Sequence, residues 1–364
     1  MKVAIRADAS LDIGTGHIMR CLTLADHLTS AGAEVRFLCR VMEGNLIDFI
    51  QRRNYLVETL PSLATRPPVD NTADRPAHHS WLGKSMEADA SDTIHALGAA
   101  SPDWLIVDHY AINNRWETKL RPHCKNIMVI DDLADRSHNC DILLDQSLGR
   151  MTEDYSNLVP VGCRIAAGAG YALLRSEFAS LRDESLVRRR SSEVKNILIT
   201  MGGIDKDNVT SRVMDALRHC KLSSDTRISV VMGGQSPWLS LVREKATTLD
   251  WPTEVIVDTQ DMARLMSESD VAIGAAGSTS WERCCLGLPS IIMVLAENQA
   301  LIARSLDEIG AALMVSDMTV LNRLLPSALD PLIEREFLRS AMSEAAAAIV
   351  DGYGASRVLD FLEL

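Results

Sequence analysis

Two glycine-bearing stretches of this sequence hold the residues best suited to chemistry. The first is Asp8-Ala-Ser-Leu-Asp12-Ile-Gly14-Thr-Gly16-His17-Ile-Met-Arg20. It follows a strand-like run and opens a helix-like one, where backbone N–H groups and the helix dipole favour an anion. The same dipole disfavours an imidazolium, so His17 is expected to be mostly neutral at about neutral pH and able to accept a proton. The plainer alternative is a histidine that only packs against the first turn or caps it. A dinucleotide fingerprint would place a third glycine where Met19 stands and an acid where Arg40 ends the second strand. A nicotinamide enzyme is therefore disfavoured, and no cofactor is expected.

The second stretch is Gly274-Ala-Ala-Gly277-Ser278-Thr279-Ser280-Trp-Glu282, with Thr200-Met-Gly202-Gly203-Ile-Asp205 upstream of it. Gly277 and the hydroxyls after it bring backbone and small donors to the start of a helix, a pattern suited to a diphosphate. Glu282 falls about one turn into that helix, where its carboxylate could accept both hydroxyls of a ribose. The competing reading is an ordinary strand–turn–helix with a capping serine.

The elements that must position these residues alternate along the chain. Strand-like runs at Lys2–Arg6, Glu34–Leu38, Trp104–Val107, Ile127–Ile130 and Ile142–Leu144 are separated by amphipathic stretches. The pattern pauses around Tyr171–Phe178 and the basic run Arg188–Arg190. It restarts with Asn196–Thr200, Arg227–Met232, Glu254–Val257, Val271–Ile273 and Ser290–Leu295. Such alternation implies parallel sheets built from right-handed crossovers. Residues 65–90 read as a long loop, a lid or a mobile connection, leading into a helix from about Met86. His78, His79 and His138 read as surface-loop residues, and Arg175 and Arg188–Arg190 as solvated or inter-domain.

Length and charge narrow the function classes. A chain of 364 residues fits two domains. A net charge of −12 argues against broad binding to nucleic acid or to an anionic membrane. No apolar run reaches the roughly 18 residues that span a bilayer, and Met1–Asp8 lacks a signal-peptide centre, so a cytoplasmic location is expected. The eight cysteines read as reduced thiols. They form no Cys-x-x-Cys pair, and no metal is expected.

The Gly-Ser-Thr-Ser-Trp-Glu block resembles the UDP-binding signature of GT-B glycosyltransferases. A longer series runs in order through most of the chain: Gly-Thr-Gly-His17, Val107-Asp108-His109-Tyr110, Asp131-Asp132, Cys140-Asp141-Ile-Leu-Leu-Asp145, Gly170-Tyr171-Ala-Leu-Leu-Arg175, Met201-Gly-Gly203 and Glu297-Asn298-Gln299. Together these blocks resemble the UDP-sugar hydrolases of pseudaminic acid biosynthesis. The resemblance implies an α/β GT-B fold of two Rossmann-like domains whose parallel sheets face across a cleft. Residues 1–180 would carry the catalytic His17 and the sugar and water site. Residues 190–364 would bind UDP, with the last helix free to pack back on the N-terminal domain.

The implied reaction is hydrolysis of UDP-2,4-diacetamido-2,4,6-trideoxy-β-L-altropyranose to UDP and the free sugar, inverting and without a metal. The matched residues imply that His17 orients or deprotonates water, and that Gly14, Gly16, Arg20, Tyr110 and Asn298 hold the sugar. Gly202, Gly203, Gly277, Ser278, Thr279 and Glu282 would hold UDP. Asp108, Asp131 and Asp132, at strand ends, are candidates to orient His17. Asp131 and Asp132 are neighbours facing opposite sides, which disfavours them as a catalytic dyad. The rival readings are a true glycosyltransferase with the same donor and a nucleotide-sugar-binding protein without catalysis. A monomer is compatible with either.

Overall fold

The structure, a computed structural model, describes residues 1–62, 76–99, 101–190 and 193–363. Part of the long loop read at 65–90 therefore lies outside the described residues. The chain divides into two compact units, residues 1–173 with 354–364, and residues 174–353.

The first unit is built on seven parallel strands: β1 (Lys2–Ala7), β2 (Glu34–Arg40), β3 (Leu56–Leu60), β4 (Trp104–Asp108), β5 (Asn126–Ile130), β6 (Ile142–Asp145) and β7 (Arg164–Ala167). Their order in the sheet is β3-β2-β1-β4-β5-β6-β7. Side chains alternate faces along a strand, and both faces here are apolar. Val3 and Ile5 join one core with Phe37 and Ile106, while Ala4 joins the other with Leu38, Leu105 and Val107. The helix Gly16–Ser30 covers the first face with Ile18, Leu22 and Ala25. The helix Gly354–Phe361 packs on the same side through Ala355 and Val358.

The second unit repeats the scheme with β8 (Asn196–Thr200), β9 (Arg227–Met232), β10 (Thr253–Val257), β11 (Val271–Ala275), β12 (Ser290–Met293) and β13 (Leu313–Val315). The order is β10-β9-β8-β11-β12-β13, again all parallel. Each sheet therefore reverses its strand order once, between β1 and β4 and between β8 and β11. In open parallel sheets such a reversal opens a crevice at the carboxyl ends of the two strands, where ligands bind.

The basic run corrects the sequence reading. The helix Ser176–Arg188 ends beside the second sheet, and Arg189 is buried. Arg189 donates to the carbonyls of Leu286 (2.8 Å), Ser269 (2.7 Å) and Met266 (2.8 Å), and Arg188 pairs with Asp270 at 2.6 Å. A guanidinium can satisfy several otherwise unpaired carbonyls at once, so these cations are structural pins rather than solvated charges.

Candidate active site

The reversal in the first sheet brings Ala7 of β1 into register with Asp108 of β4. After β1 the chain makes a tight turn around Ser10. The Ser10 carbonyl accepts from Gly14 N (2.9 Å), and its hydroxyl oxygen accepts from Asp12 N (3.2 Å) and Ile13 N (3.1 Å). Gly14 sits at φ +78°, a conformation that costs other residues strain. The turn releases the chain into the helix at Gly16, which places His17 and Arg20 on one face.

Both side chains converge on Asp108. His17 Nδ1 lies 2.6 Å from Asp108 Oδ1. Arg20 holds the same carboxylate with two donors, Nη2 to Oδ1 and Nε to Oδ2, each at 2.6 Å. Burial alone would raise the Asp108 carboxyl, but the charges of Arg20 and His17 outweigh it and hold it well below the usual range. An ionised carboxylate can only accept, so Nδ1 of His17 is the donor to Asp108 and the lone pair of the neutral ring is on Nε2. Of the acids read as candidates, Asp108 is the one paired with His17.

Arg20 continues the network, donating from Nη1 to Asp132 Oδ2 at 2.9 Å, and the hydroxyl of Tyr110 donates to Asp132 Oδ1. Burial and the neighbouring Asp132 push the Tyr110 hydroxyl far up, so it stays a donor. The Tyr110 ring meets the His17 ring edge-on at 4.5 Å. Asp131 faces the other way, toward Arg136 (2.8 Å) and the Tyr155 hydroxyl (3.0 Å). His17, Arg20 and Tyr110 thus form one connected set, with Gly14 and Gly16 in the turn beside it.

Of the histidines read as surface residues, His138 and His78 sit deeper than that reading. His138 is buried, its Nδ1 2.7 Å from Glu117, because the chain between β5 and β6 folds back onto the helix Asn114–Leu120. His78 packs on Trp81 at 4.5 Å. Sequence reasoning missed a deeper charge cluster, in which Arg6 and Arg40, both fully buried, share Asp89 at 2.8 and 2.5 Å. Arg6 also pairs with Asp8 at 2.7 Å. The signal was available in hindsight: cations inside strand runs must find buried acids.

In the second unit Gly274 of β11 is in register with Thr200 of β8. Gly202 and Gly203 follow β8, and the Gly203 carbonyl accepts from Gly233 N at 3.0 Å. A Cβ on Gly274 would come within 2.5 Å of Arg283 Nη1 and 2.7 Å of the Thr200 carbonyl oxygen, so only glycine fits there. Gly277, Ser278 and Thr279 lead into the short helix Thr279–Cys285, and the Ser278 side chain makes no capping hydrogen bond. Glu282 is partly buried, and loss of solvent pushes its carboxyl up to about 7 against the pull of Arg175 and Arg283. The buried Arg283 donates to the Ala275 carbonyl (2.8 Å) and Ser280 Oγ (2.9 Å), and desolvation pushes it down to about 10. The UDP-binding candidates therefore share the second unit's reversal point. Asn298 falls on the turn Glu297–Gln299 that follows β12, and its backbone alone is described.

Among the described residues no cluster of His, Cys, Asp and Glu is arranged to hold a metal, and no helix is long and apolar enough to cross a membrane.

Comparison with known proteins gives these sites a setting. Residues 196–353 match the glycosyltransferase family 28 C-terminal domain. The MurG structure from Acinetobacter baumannii superposes with a TM-score of 0.67 at 16% identity, covering 100% of this chain and 99% of that one. Two Rossmann-like units with parallel sheets and these neighbours define a protein of the GT-B fold class. The UDP-2,4-diacetamido-2,4,6-trideoxy-β-L-altropyranose hydrolase of Campylobacter jejuni is 30% identical over 280 residues, covering 76% of this chain and 86% of that protein. The chain belongs to that hydrolase family. An uncharacterized protein of Methanocaldococcus jannaschii is 25% identical over 304 residues, 82% of this chain. The match spans 57% of the archaeal protein's length.

Proposed function

We propose that this protein hydrolyses UDP-2,4-diacetamido-2,4,6-trideoxy-β-L-altropyranose to UDP and the free sugar. The observation that carries this reading is the His17–Asp108 pair, which leaves Nε2 of His17 basic at the reversal point of the first sheet. The name of the Campylobacter relative supplies the substrate.

In this reading Nε2 takes a proton from water as the water oxygen bonds to the anomeric carbon. The bond from that carbon to the diphosphate oxygen breaks, and its electron pair leaves with UDP. Asp108 stabilises the imidazolium that forms and keeps the ring from turning over. Arg20 fixes Asp108, and Tyr110 holds the ring edge-on. Gly14 and Gly16 let the sugar approach the backbone, and Asn298 offers an amide to its acetamido or hydroxyl groups. Gly202, Gly203, Gly277, Ser278 and Thr279 provide small donors for the diphosphate, and Glu282 accepts from the ribose. Attack opposite the leaving UDP inverts the anomeric centre.

UDP is a good leaving group, so no strong general acid is needed. No metal is needed either, because the acids nearest His17 are already engaged by Arg20 and Tyr110. The test is incubation with a panel of UDP-linked bacterial sugars, following UDP, free sugar and the first-formed anomer by NMR, with and without EDTA. Release of UDP and inverted sugar into water supports the reading. Turnover only when an acceptor alcohol is supplied would make the protein a glycosyltransferase, and binding without turnover would make it a binding protein.

A further inference from the structure

The turn His79–Leu82, which leads toward the helix Met86–Leu97, brings an aromatic side chain to the base. Trp81 meets the His17 ring edge-on at 6.2 Å and lies nearly parallel to the Tyr110 ring, 5.6 Å away at 26°. His78 backs it at 4.5 Å and reaches Tyr110 at 5.4 Å. Tyr110 is only 3% exposed and its hydroxyl is committed to Asp132. Trp81 keeps part of its surface open. Of the two large rings beside His17, Trp81 is therefore the one with surface left to give a ligand.

We propose that Trp81, braced by His78, is a specificity residue that forms an apolar wall of the sugar subsite and selects deoxy, N-acylated hexoses over hydroxylated ones. The inference rests on the hydrolase reading, since a base that activates water must stand beside the anomeric carbon, and Trp81 is the ring beside it that keeps surface open. An indole face gains from covering methyl and C–H groups but cannot accept a well-directed hydrogen bond from a hydroxyl. A hydroxyl pressed against it loses water without replacement, whereas a methyl group loses nothing. A 2,4-diacetamido-2,4,6-trideoxy sugar presents acetamido methyls and a C6 methyl in place of a hydroxyl.

The test compares wild type with Trp81→Ala and Trp81→Phe, using UDP, the UDP-linked diacetamido-trideoxy sugar and UDP-N-acetylglucosamine. Calorimetry gives affinities on catalytically silenced protein (His17→Asn background), and steady-state kinetics give kcat and KM on the active forms. Trp81→Ala should weaken binding of the deoxy UDP-sugar by about tenfold, through KM rather than kcat. It should leave UDP affinity unchanged and shrink the preference over UDP-N-acetylglucosamine by about the same factor. Trp81→Phe should retain most of that preference. An unchanged preference in a folded Trp81→Ala protein overturns the proposal, as does equal loss for UDP itself. If wild type releases no UDP from any sugar, the hydrolase reading fails, and the calorimetric comparison still decides the subsite. Equal affinity of the silenced protein with Trp81 intact for UDP and the UDP-linked diacetamido-trideoxy sugar would refute the wall directly.

Discussion

The two units fill the same topological position in opposite ways. At the reversal between β1 and β4 the loops carry paired charges, with His17, Arg20, Asp108, Asp132 and Tyr110 each bonded to another member. At the reversal between β8 and β11 the loops carry glycines and small residues, with Glu282 as a carboxylate raised by burial. A charge-paired site is set before its ligand arrives and suits proton transfer, where geometry and tautomer decide the rate. A backbone-lined site leaves donors open for a ligand that brings its own charge. One sheet order thus carries two kinds of lining, and the residues that follow the strands decide which.

That contrast breaks first at His17. His17→Asn keeps the size and Asp108's donor but removes the base, so kcat should fall by about 10²–10⁴-fold with UDP affinity almost unchanged. Near-normal turnover in a folded variant would reduce His17 to packing. Asp108→Asn should cost about 10²-fold in kcat by freeing the ring to adopt the wrong tautomer. It should also lower the melting temperature, because Arg20 loses its main counter-ion. A stability loss without a rate loss would show that the carboxylate serves only Arg20.

Glu282 tests the other unit. Glu282→Ala should weaken UDP binding by about 1–3 kcal/mol without altering a saturated turnover rate. Its protonation adds a pH test. Burial pushes the unliganded carboxyl up to about 7, and accepting ribose hydroxyls would favour the ionised form, so UDP binding should release a proton. Affinity should therefore fall as pH drops below about 7, and Glu282→Gln should flatten the part of that slope not due to UDP itself. Calorimetry in buffers of different ionisation enthalpy reads the proton directly. The smallest effect expected on chemistry is that of Gly274→Ala, which crowds Arg283 and the Thr200 carbonyl. It should cost about 1–3 kcal/mol of stability, measured by denaturant unfolding, with activity preserved in the folded fraction. An undisturbed midpoint would mean that both Arg283 and the Thr200 carbonyl yield freely.

How much of this was readable in the sequence depended on burial. The strands at the centre of each sheet, such as Trp104–Asp108 and Val271–Ala275, are buried throughout and stand out as apolar runs. Leu56–Leu60, Arg164–Ala167 and Leu313–Val315 escaped notice because they are edge strands, the first two apolar over only part of their length and the third only three residues long. In the site, the glycine turn and His17 are local in sequence and were visible as a motif. The partner of His17 was legible only as one of three candidate acids, since Asp108 is 91 positions away and only the β1–β4 pairing singles it out. Spacing likewise could not reveal that Arg189 is buried, because three consecutive arginines look alike until a fold gives one of them carbonyls to hold.

The helix Gly354–Phe361 has a consequence for the order in which the molecule can be made. It completes the core of the first unit, where Ala355, Val358 and Leu362 lie among Ile18, Leu22 and Ala25, and Arg357 donates to the Gly170 carbonyl at 2.8 Å. Yet it is translated after every residue of the second unit. A nascent first unit therefore leaves the ribosome with an apolar stripe uncovered, and must keep it while residues 174–353 emerge and fold as one uninterrupted block. The unit that carries His17 is begun before the second unit and finished after it. Until the final helix docks, the helix that bears His17 has only part of its packing.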